Sequence, residues 1–386
     1  MQHHCPRPML ARTIADDLQG KNPLSDAADG LFLAGPRRTG KSDFLKQDLL
    51  PELERRGFLV MYVDLWEDKS RSPMAVIADQ LGLAIQKTLG LVAKVASQTK
   101  LESLAVPGLF KIDTSKIGKT DGFTLYRTLE MLREQSKKQI VLIIDEAQHA
   151  LTSEDGDVTM SALKSARDQM KTAYGPGLLL VMSGSHHDKL MRLLDTVSTP
   201  FWGSQVSALP LLDAQFVRWV HQNTVVAAHP EWLQADLSAM TEAFEHFGHR
   251  PPFYLKAVKQ AALQAQTKEG FDAALLRIAQ SDRQRERDAF SAQFAQLEAL
   301  QRAVLQHLLE QGKNFRAFDA TAMALYESHL GKRPSTTQIQ RALDALRQSN
   351  PPLVWKSLRG DYSLYDQDLH AWFAFLQNQL QWPPAR

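Results

Sequence analysis

The sequence predicts a three-layer α/β domain, then an all-helical segment, then a segment in which helices lead into a β-hairpin. Short continuous apolar runs alternate with helical stretches from Gly30 to about Ser185. Strand patterns cease from about Leu209, and beyond about residue 291 helical patterns precede two strand-like runs around a turn. At 386 residues the chain is too long for one ordinary core, so two or three domains are expected. The 44% hydrophobic and 23% charged fractions are those of a soluble globular protein.

Taken in order, "GLFLAG" is an apolar run that ends in a glycine loop, and the residues from Lys41 to Arg56 carry a helical pattern. "GFLVMYVDL" (Gly57 to Leu65), "KKQIVLIIDEA" and "GPGLLLVMSGS" follow as further apolar runs. Continuous rather than alternating runs suit parallel strands covered by helices on both faces. Their alternation with helices implies three layers. Between Pro73 and Asp121 the pattern weakens. "SPMAVIADQLGLAIQKTLGLVAKVA" reads as one amphipathic helix or two, and the Gly-, Ser-, Thr- and Lys-rich residues after it as an exposed insertion or a short hairpin.

"LPLLDAQFVRWVHQ", "PEWLQADLSAMTEAFEHFG" and "PPFYLKAVKQAALQAQ" each have helical periodicity punctuated by Pro or Gly. "RIAQSDRQRERDAFSAQF" reads as a charged helical connector. "LEALQRAVLQHLLEQG", "FDATAMALYESHLG" and "STTQIQRALDALRQ" are three more helices, the last with a Ser/Thr cap. "PPLVWKSLRGDYSLYD" then reads as two strands around Arg359–Gly360–Asp361, and "LHAWFAFLQNQL" as a closing helix. Three helices followed by a hairpin is the plan of a winged helix.

Several classes are excluded on composition. No apolar run approaches the ~18 residues of a spanning helix, so no membrane association is expected. The start, "MQHHCPRPMLARTIADDLQG", lacks the apolar stretch of a secretory signal, and a cytoplasmic location is expected. The single cysteine, Cys5, cannot form an internal disulfide. His3, His4 and Cys5 are adjacent and cannot close a tetrahedral metal site alone. A net charge of +2 with scattered basic residues gives no global case for nucleic-acid binding, which must rest on a local patch.

The chemistry is carried by "GPRRTGKS", which fits G-x-x-x-x-G-K-[ST] with Gly35, Gly40, Lys41 and Ser42. The nucleotide-binding residues are expected to be Gly35, Pro36, Arg37, Arg38, Thr39, Gly40, Lys41, Ser42 and Asp43, with backbone N–H groups of the loop facing phosphate oxygens and Arg37 and Arg38 in its variable part. The following helix directs its N-terminal dipole at the same anion. Lys41 would reach the β- and γ-phosphates, and the Ser42 hydroxyl would ligate Mg²⁺. "IVLIIDEA" supplies the partner acids: Asp145 for the Mg²⁺ shell and Glu146 to polarise the attacking water.

"GPRRTGKS", "LIIDEAQ" and "LLLVMSGSHHDKLMRLL", with "GHRPPFYLK" and "GDYSLYDQDLHAWF", resemble the archaeal-type ATPases of the STAND branch of AAA+-related P-loop NTPases. The resemblance runs from about Arg12 onward. It implies an α/β, three-layer P-loop NTPase core of AAA+-like type (1–208), an all-helical lid (209–290) and a winged-helix domain (291–386). It further implies ATP as the nucleotide, and a sensor residue at Ser183 or else Ser185; the plainer reading is that Ser-Gly-Ser ends a strand. "GHRPP" is similar to a lid motif in which Pro251 contacts the base and Arg250 senses phosphate; the plainer reading is a helix start with Pro in its first turn. One departure stands out. Relatives often carry Gly-Arg before the strand leading into the lid, where this chain has Gly203–Ser204, so any arginine finger must come from elsewhere, Arg167 or Arg192 being candidates. His186 and His187 read as cap or solvent residues rather than metal ligands.

A winged helix can place "STTQIQRALDALRQ" in a DNA major groove, with Thr336, Thr337, Gln338 and Arg341 facing bases or phosphates. Lys332 and Arg333 before that helix, and Lys356 and Arg359 in the hairpin, would add phosphate contacts. Asp361 beside the turn argues against this, and the other reading is a module that packs on the ATPase or binds a protein partner. Two functions therefore stand: an ATP-hydrolysing switch, and a non-hydrolysing nucleotide-binding scaffold. ATP-dependent assembly of a homo-oligomer is open under both.

Overall fold

The computed structural model describes residues 4–68, 70–88, 104–106, 109–112, 124–172, 175–194, 199–357, 360–366, 368–379 and 382. Two compact units divide the chain between residues 210 and 211.

The first unit is built on five parallel strands: β1 (Leu31–Ala34), β2 (Leu59–Asp64), β3 (Ile140–Asp145), β4 (Leu178–Gly184) and β5 (Val206–Ala208). Their spatial order is β5-β1-β4-β3-β2, parallel at every pairing. β3 and β4 are buried at every residue, whereas β2, at one edge, alternates buried and half-buried positions. The unbroken apolar runs of β3 and β4 follow from cover on both faces. β5 is the short edge strand that leads out of the unit, and only three residues, Val-Ser-Ala, mark it.

Two helical layers cover the sheet. On one face lie α1 (Pro8–Leu18) and α2, a continuous helix made of Lys41–Phe44, a π-helical stretch Leu45–Leu49 and Leu50–Arg55. Leu18, Phe44, Leu45, Leu49 and Leu53, all five entirely removed from solvent, pack there on Leu33, Val141, Ile143, Leu179 and Val181. At about 25 cal/mol per Å² of apolar surface, each such leucine contributes about 2 kcal/mol. α3 (Pro73–Thr88), α4 (Leu125–Ser136) and α5 (Glu154–Gln169) pack on one another as a second layer. α4 and α5 start at Thr124 and Ser153, whose hydroxyls accept from the N–H groups of Arg127 and Gly156. Of the segment between Pro73 and Asp121, the described parts are α3 and an antiparallel pair, Leu104–Val106 with Leu109–Ile112; the rest of the stretch that reads as one helix or two lies outside the described residues.

Strand order and register decide what meets at the sheet's C-terminal edge. β4 lies between β1 and β3, so the strand that feeds the glycine loop does not touch the strand that ends in acids. Leu33 pairs with Ser183, Ile144 with Met182, and Asp64 with Asp145. Side chains in register on neighbouring parallel strands share a face. Asp64, Asp145 and Ser183 therefore line up on the α2 side.

The second unit begins with α7 (Ala214–Val220, continued by a π-helical stretch and Val226–Ala228), after a short α6 (His187–Met191) in the first. α8 (Ser238–His246) and α9 (Pro251–Gln264) follow, packed through Phe216, Phe244 and Tyr254. "PEWLQADLSAMTEAFEHFG" is not one helix. The Asp236 carboxylate takes the N–H of Ser238, which ends a short turn at Pro230–Trp232 and starts α8 afresh. The charged connector is the middle of a single long helix, α10 (Lys268–Ala295), which passes residue 290 without a break. Its buried Phe271 and Leu275 lie toward the lid end, and Phe294 belongs to the core beyond.

That core holds α11 (Ala299–Gln311), α12 (Ala320–Leu330), α13 (Thr336–Gln348), an antiparallel hairpin of β6 (Val354–Lys356) and β7 (Tyr362–Leu364), and α14 (Asp368–Asn378). Ser335 and Gln338 form a reciprocal capping box at the start of α13.

Candidate active site

The glycine loop is tied down at both ends. Gly35 N–H donates to Gly184 O at 3.1 Å, and the Thr39 hydroxyl donates to Pro36 O at 2.7 Å. Arg38 (φ 64°) and Gly40 (φ 85°) turn the chain into α2, whose first turn carries no capping side chain. Its leading N–H groups are thus free of the side-chain acceptors that usually satisfy them, which suits an anion. Pro36, Arg38 and Asp43 are exposed. The Arg37 guanidinium lies 4.7 Å over the Trp66 ring, and Trp66 meets His149 edge-on at 4.3 Å, so Arg37 is directed across the loop after β2.

Lys41 is drawn inward. Its Nζ lies 2.9 Å from Asp145 Oδ1 and 2.9 Å from Glu146 Oε1, with the side chain 5% exposed and Asp145 wholly buried. Asp145 also accepts from the hydroxyls of Ser42, Tyr62 (2.8 Å) and Ser183. Burial pushes the Asp145 carboxyl up, but the Lys41 ammonium and the Ser183 and Ser42 hydroxyls overcome it and hold it at about 2. Burial likewise opposes ionisation of Glu146 and Lys41, yet Lys41 leaves the Glu146 carboxyl below its usual range, and Asp145, then Glu146, leave the ammonium above its own. Asp64, half-buried, goes the other way: burial raises it and the negative charge of Asp145 adds to that.

The two serines of the Ser-Gly-Ser stretch divide between the acids. Ser183 donates to Asp145, and Ser185 donates to Glu146 Oε2 at 2.8 Å. Gln148 Nε2 donates to the same Oε2. Glu146 itself stands at φ 54°, an uncommon conformation for a residue with a side chain. Tyr62, Asp64 and Gln148 did not stand out from the sequence motifs. A tyrosine and an aspartate spaced by two near the end of an apolar strand are the signal for the first pair. Only the fold reveals the third.

The oxygen set fits a magnesium ion. Ser42 Oγ and Asp145 Oδ2 converge at the start of α2, and a hydroxyl with a carboxylate is the hard donor set that Mg²⁺ takes while keeping waters and phosphates for its other positions. Among the described residues, no group of three or more His, Cys, Asp or Glu could hold a metal. His4 Nε2 lies 2.9 Å from Asp48 Oδ2, His186 is buried and His187 faces solvent.

Two further sequence candidates belong to the first unit. Arg167 is occupied by Asp29 O and the Asp168 carboxylate and lies 5.7 Å over Phe201; Arg192 is half-buried. In the second unit Pro251 opens α9, and Arg250, 6% exposed, donates to Phe247 O at 2.8 Å, to both Glu286 oxygens at 2.8 and 3.0 Å and to Asp368 at 3.1 Å. On α13, Thr336, Thr337, Gln338 and Arg341 are exposed, as are Lys332 and Arg333 before it. Gln338 Oε1 is taken by the N–H of Ser335 at 2.8 Å, which leaves its amide N–H groups for any base contact. Lys356 lies 5.3 Å from the Tyr362 ring, and Asp361 N–H closes the hairpin end on Ser357 Oγ at 3.0 Å. Arg359 lies outside the described residues.

No family model and no curated protein matches the chain. Solved structures do. The Aeropyrum pernix ORC2 protein in its ADP form aligns with 97% of this chain and 93% of its own length, at 14% identity and a TM-score of 0.50. The core has the AAA+ fold. The A. pernix ORC1 protein in complex with DNA (16% identity, TM-score 0.42, 96% and 92% covered) and AMPPCP-bound DnaA from Aquifex aeolicus (12%, 0.38, 96% and 92%) align over similar spans. The AAA+ description rests on the ORC2 match together with the parallel sheet order β5-β1-β4-β3-β2 and the helical region that follows it. Among the described residues, no helix is long and apolar enough to cross a membrane.

Proposed function

We propose an ATP-binding, magnesium-dependent ATPase of the STAND type that works as a nucleotide-driven switch. The observation that carries the reading is the buried cluster in which Lys41 Nζ touches both Asp145 and Glu146 while Ser42 touches Asp145. Cation, hydroxyl and two acids within one hydrogen-bonded group, at the mouth of an uncapped glycine loop, are the parts phosphoryl transfer needs. The shared fold with a protein solved in an ADP form supports a nucleotide as the ligand.

In this reading the loop N–H groups from Gly35 to Ser42 bind the phosphates, and Lys41 moves its positive charge from the acids onto the β- and γ-oxygens. Ser42 and Asp145 would hold magnesium, which supplies positive charge against the phosphates when bound. Glu146 accepts a proton from the water whose oxygen attacks the γ-phosphorus, and ADP leaves. The winged-helix region then acts on DNA or a protein partner, with Thr337, Gln338, Arg341 and Lys356 as the groove-facing set. Arg250 and Pro251 serve the lid.

Glu146→Gln keeps the shape and removes the base. Purified protein should hydrolyse MgATP, and the substitution should lower kcat by roughly 10²–10⁴ with nucleotide affinity retained. Absent wild-type turnover, or turnover untouched by the substitution, would favour a second reading: a nucleotide-binding scaffold whose winged helix binds protein. Arg167 supports that alternative, because its guanidinium is already committed to Asp29, Asp168 and Phe201 rather than available to a neighbouring site.

A further inference from the structure

The acid expected to activate water is gripped unevenly. Glu146 Oε1 has one partner, Lys41 Nζ at 2.9 Å, which the phosphates would also attract. Oε2 has two partners with no part in the cradle: Ser185 Oγ at 2.8 Å and Gln148 Nε2. Those two partners also touch each other, Gln148 Nε2 lying 3.2 Å from Ser185 Oγ. Were Lys41 to turn to phosphate, Oε2 would keep both partners and Oε1 would lose its one.

Gln148 occupies its place at a cost. Its Oε1 is buried with no hydrogen-bond partner, although the residue is 2% exposed. A desolvated acceptor without a donor is unfavourable, and such a group in a native fold calls for an explanation. Its neighbour explains how the amide fits. A Cβ on Gly184 would lie 2.6 Å from Gln148 Oε1, inside any real contact, whereas no positive φ or nearby backbone demands glycine there. The glycine of Ser-Gly-Ser makes room for an amide.

We propose that Gln148 and Ser185 are positioning residues that fix Glu146 through Oε2, so that Oε1 is the oxygen that takes the proton from water, and that residue 184 is glycine to admit the Gln148 amide. This rests on the hydrolysis reading above. The left-handed backbone at Glu146 fits the same purpose, since a strained conformation persists only where its surroundings hold it.

The test compares full-length wild type, Gln148→Ala, Ser185→Ala, Gly184→Ala and the double variant Gly184→Ala/Gln148→Ala. Steady-state MgATP hydrolysis, fluorescent-nucleotide affinity and thermal melting are measured on each. Each single variant should lose roughly tenfold to a hundredfold in kcat, the scale of a misplaced reacting group, with nucleotide Kd within about twofold of wild type. The double variant should be no slower than the slower single one, because the methyl introduced by Gly184→Ala has already displaced the amide. Losses that multiply in the double variant, losses carried by KM and Kd, or unchanged kcat overturn the proposal. If Gly184→Ala fails to fold, Gln148→Ala and Ser185→Ala decide by the same kcat criterion. Wild-type turnover with unaltered variants sinks the positioning alone, whereas absent wild-type turnover sinks the hydrolysis reading and this proposal with it.

Discussion

Replacing Lys41 by methionine tests the electrostatics of the buried cluster without nucleotide. The substitution nearly conserves volume, so packing changes little and charge is what is removed. Asp145 is wholly buried and its carboxyl is held at about 2 against an ordinary 3.8, a depression that corresponds to about 2 kcal/mol of stability at neutral pH. Glu146, also lowered, adds to this. Removing one partner of a buried pair costs about 3–5 kcal/mol in general. The hydroxyls of Ser42, Tyr62 and Ser183 remain on Asp145 and put the expected loss at the lower end, about 3 kcal/mol. For a unit of this size that lowers the melting midpoint by about 6–12 °C. The pH dependence has a definite sign. A carboxyl depressed in the folded state stabilises fully above its unfolded value and loses that contribution as pH falls through the folded one. The gap between wild type and Lys41→Met should therefore be widest near pH 7 and close between about pH 4 and pH 2. Melting by circular dichroism at pH 7 and at about pH 2.5, with no nucleotide or magnesium, reads it directly. An unchanged midpoint at pH 7, or a gap that widens on acidification, would refute the cluster as a net stabilising charge network.

Tyr62→Phe removes the hydroxyl donor to Asp145 and should cost about 2 kcal/mol in urea unfolding, the scale of a hydrogen bond to a charged group; no change would mean that water replaces it. Arg250→Ala strips the cation from Glu286 and Asp368 and should destabilise the chain by about 3 kcal/mol. Arg250→Lys should recover only part of that, because an ammonium cannot reproduce the planar fork; equal melting of the two variants would count against the bidentate geometry. Arg341→Ala should weaken DNA binding about evenly across sequences and flatten the log-affinity against log-salt slope by about 1 if Arg341 meets phosphate. Binding that is absent or indifferent to salt in the wild type ends the groove reading.

The elements that organise the core were readable because their sequence pattern and their chemistry coincide. Ile140–Asp145 is apolar to its last residue and then acidic, which is what a covered strand with a working tip must be. "GPRRTGKS" has the spacing of a phosphate-loop motif, and it stands where the sequence reading put it, between a buried strand and the start of a helix. β5 was far less legible from the residues, because three residues at a sheet edge carry almost no periodic signal. The continuity of α10 was hidden for another reason: its charged middle looks like a linker, and the apolar residues that anchor it lie in two cores at its two ends. Around the acids, distance in sequence was the obstacle. Tyr62 stands 83 residues from Asp145, and Ser185 stands 37 from Gln148 and 39 from Glu146. Only the order of the strands brings them together. Arg250 illustrates the converse, since its motif drew attention while its partners, Glu286 and Asp368, carried no local mark at all.

The unbroken course of α10 has a mechanical meaning. Its 28 residues make a rod about 42 Å long, with lid side chains near one end and the winged-helix core at the other. A rod that long is a lever: tilting it by about 10° at the lid end carries the other end through about 7 Å. Arg250 fastens the start of α9 to the middle of that rod through Glu286 and to the start of α14 through Asp368. Because the helix is continuous within the second unit, a tilt applied at one end of it would be carried to the other.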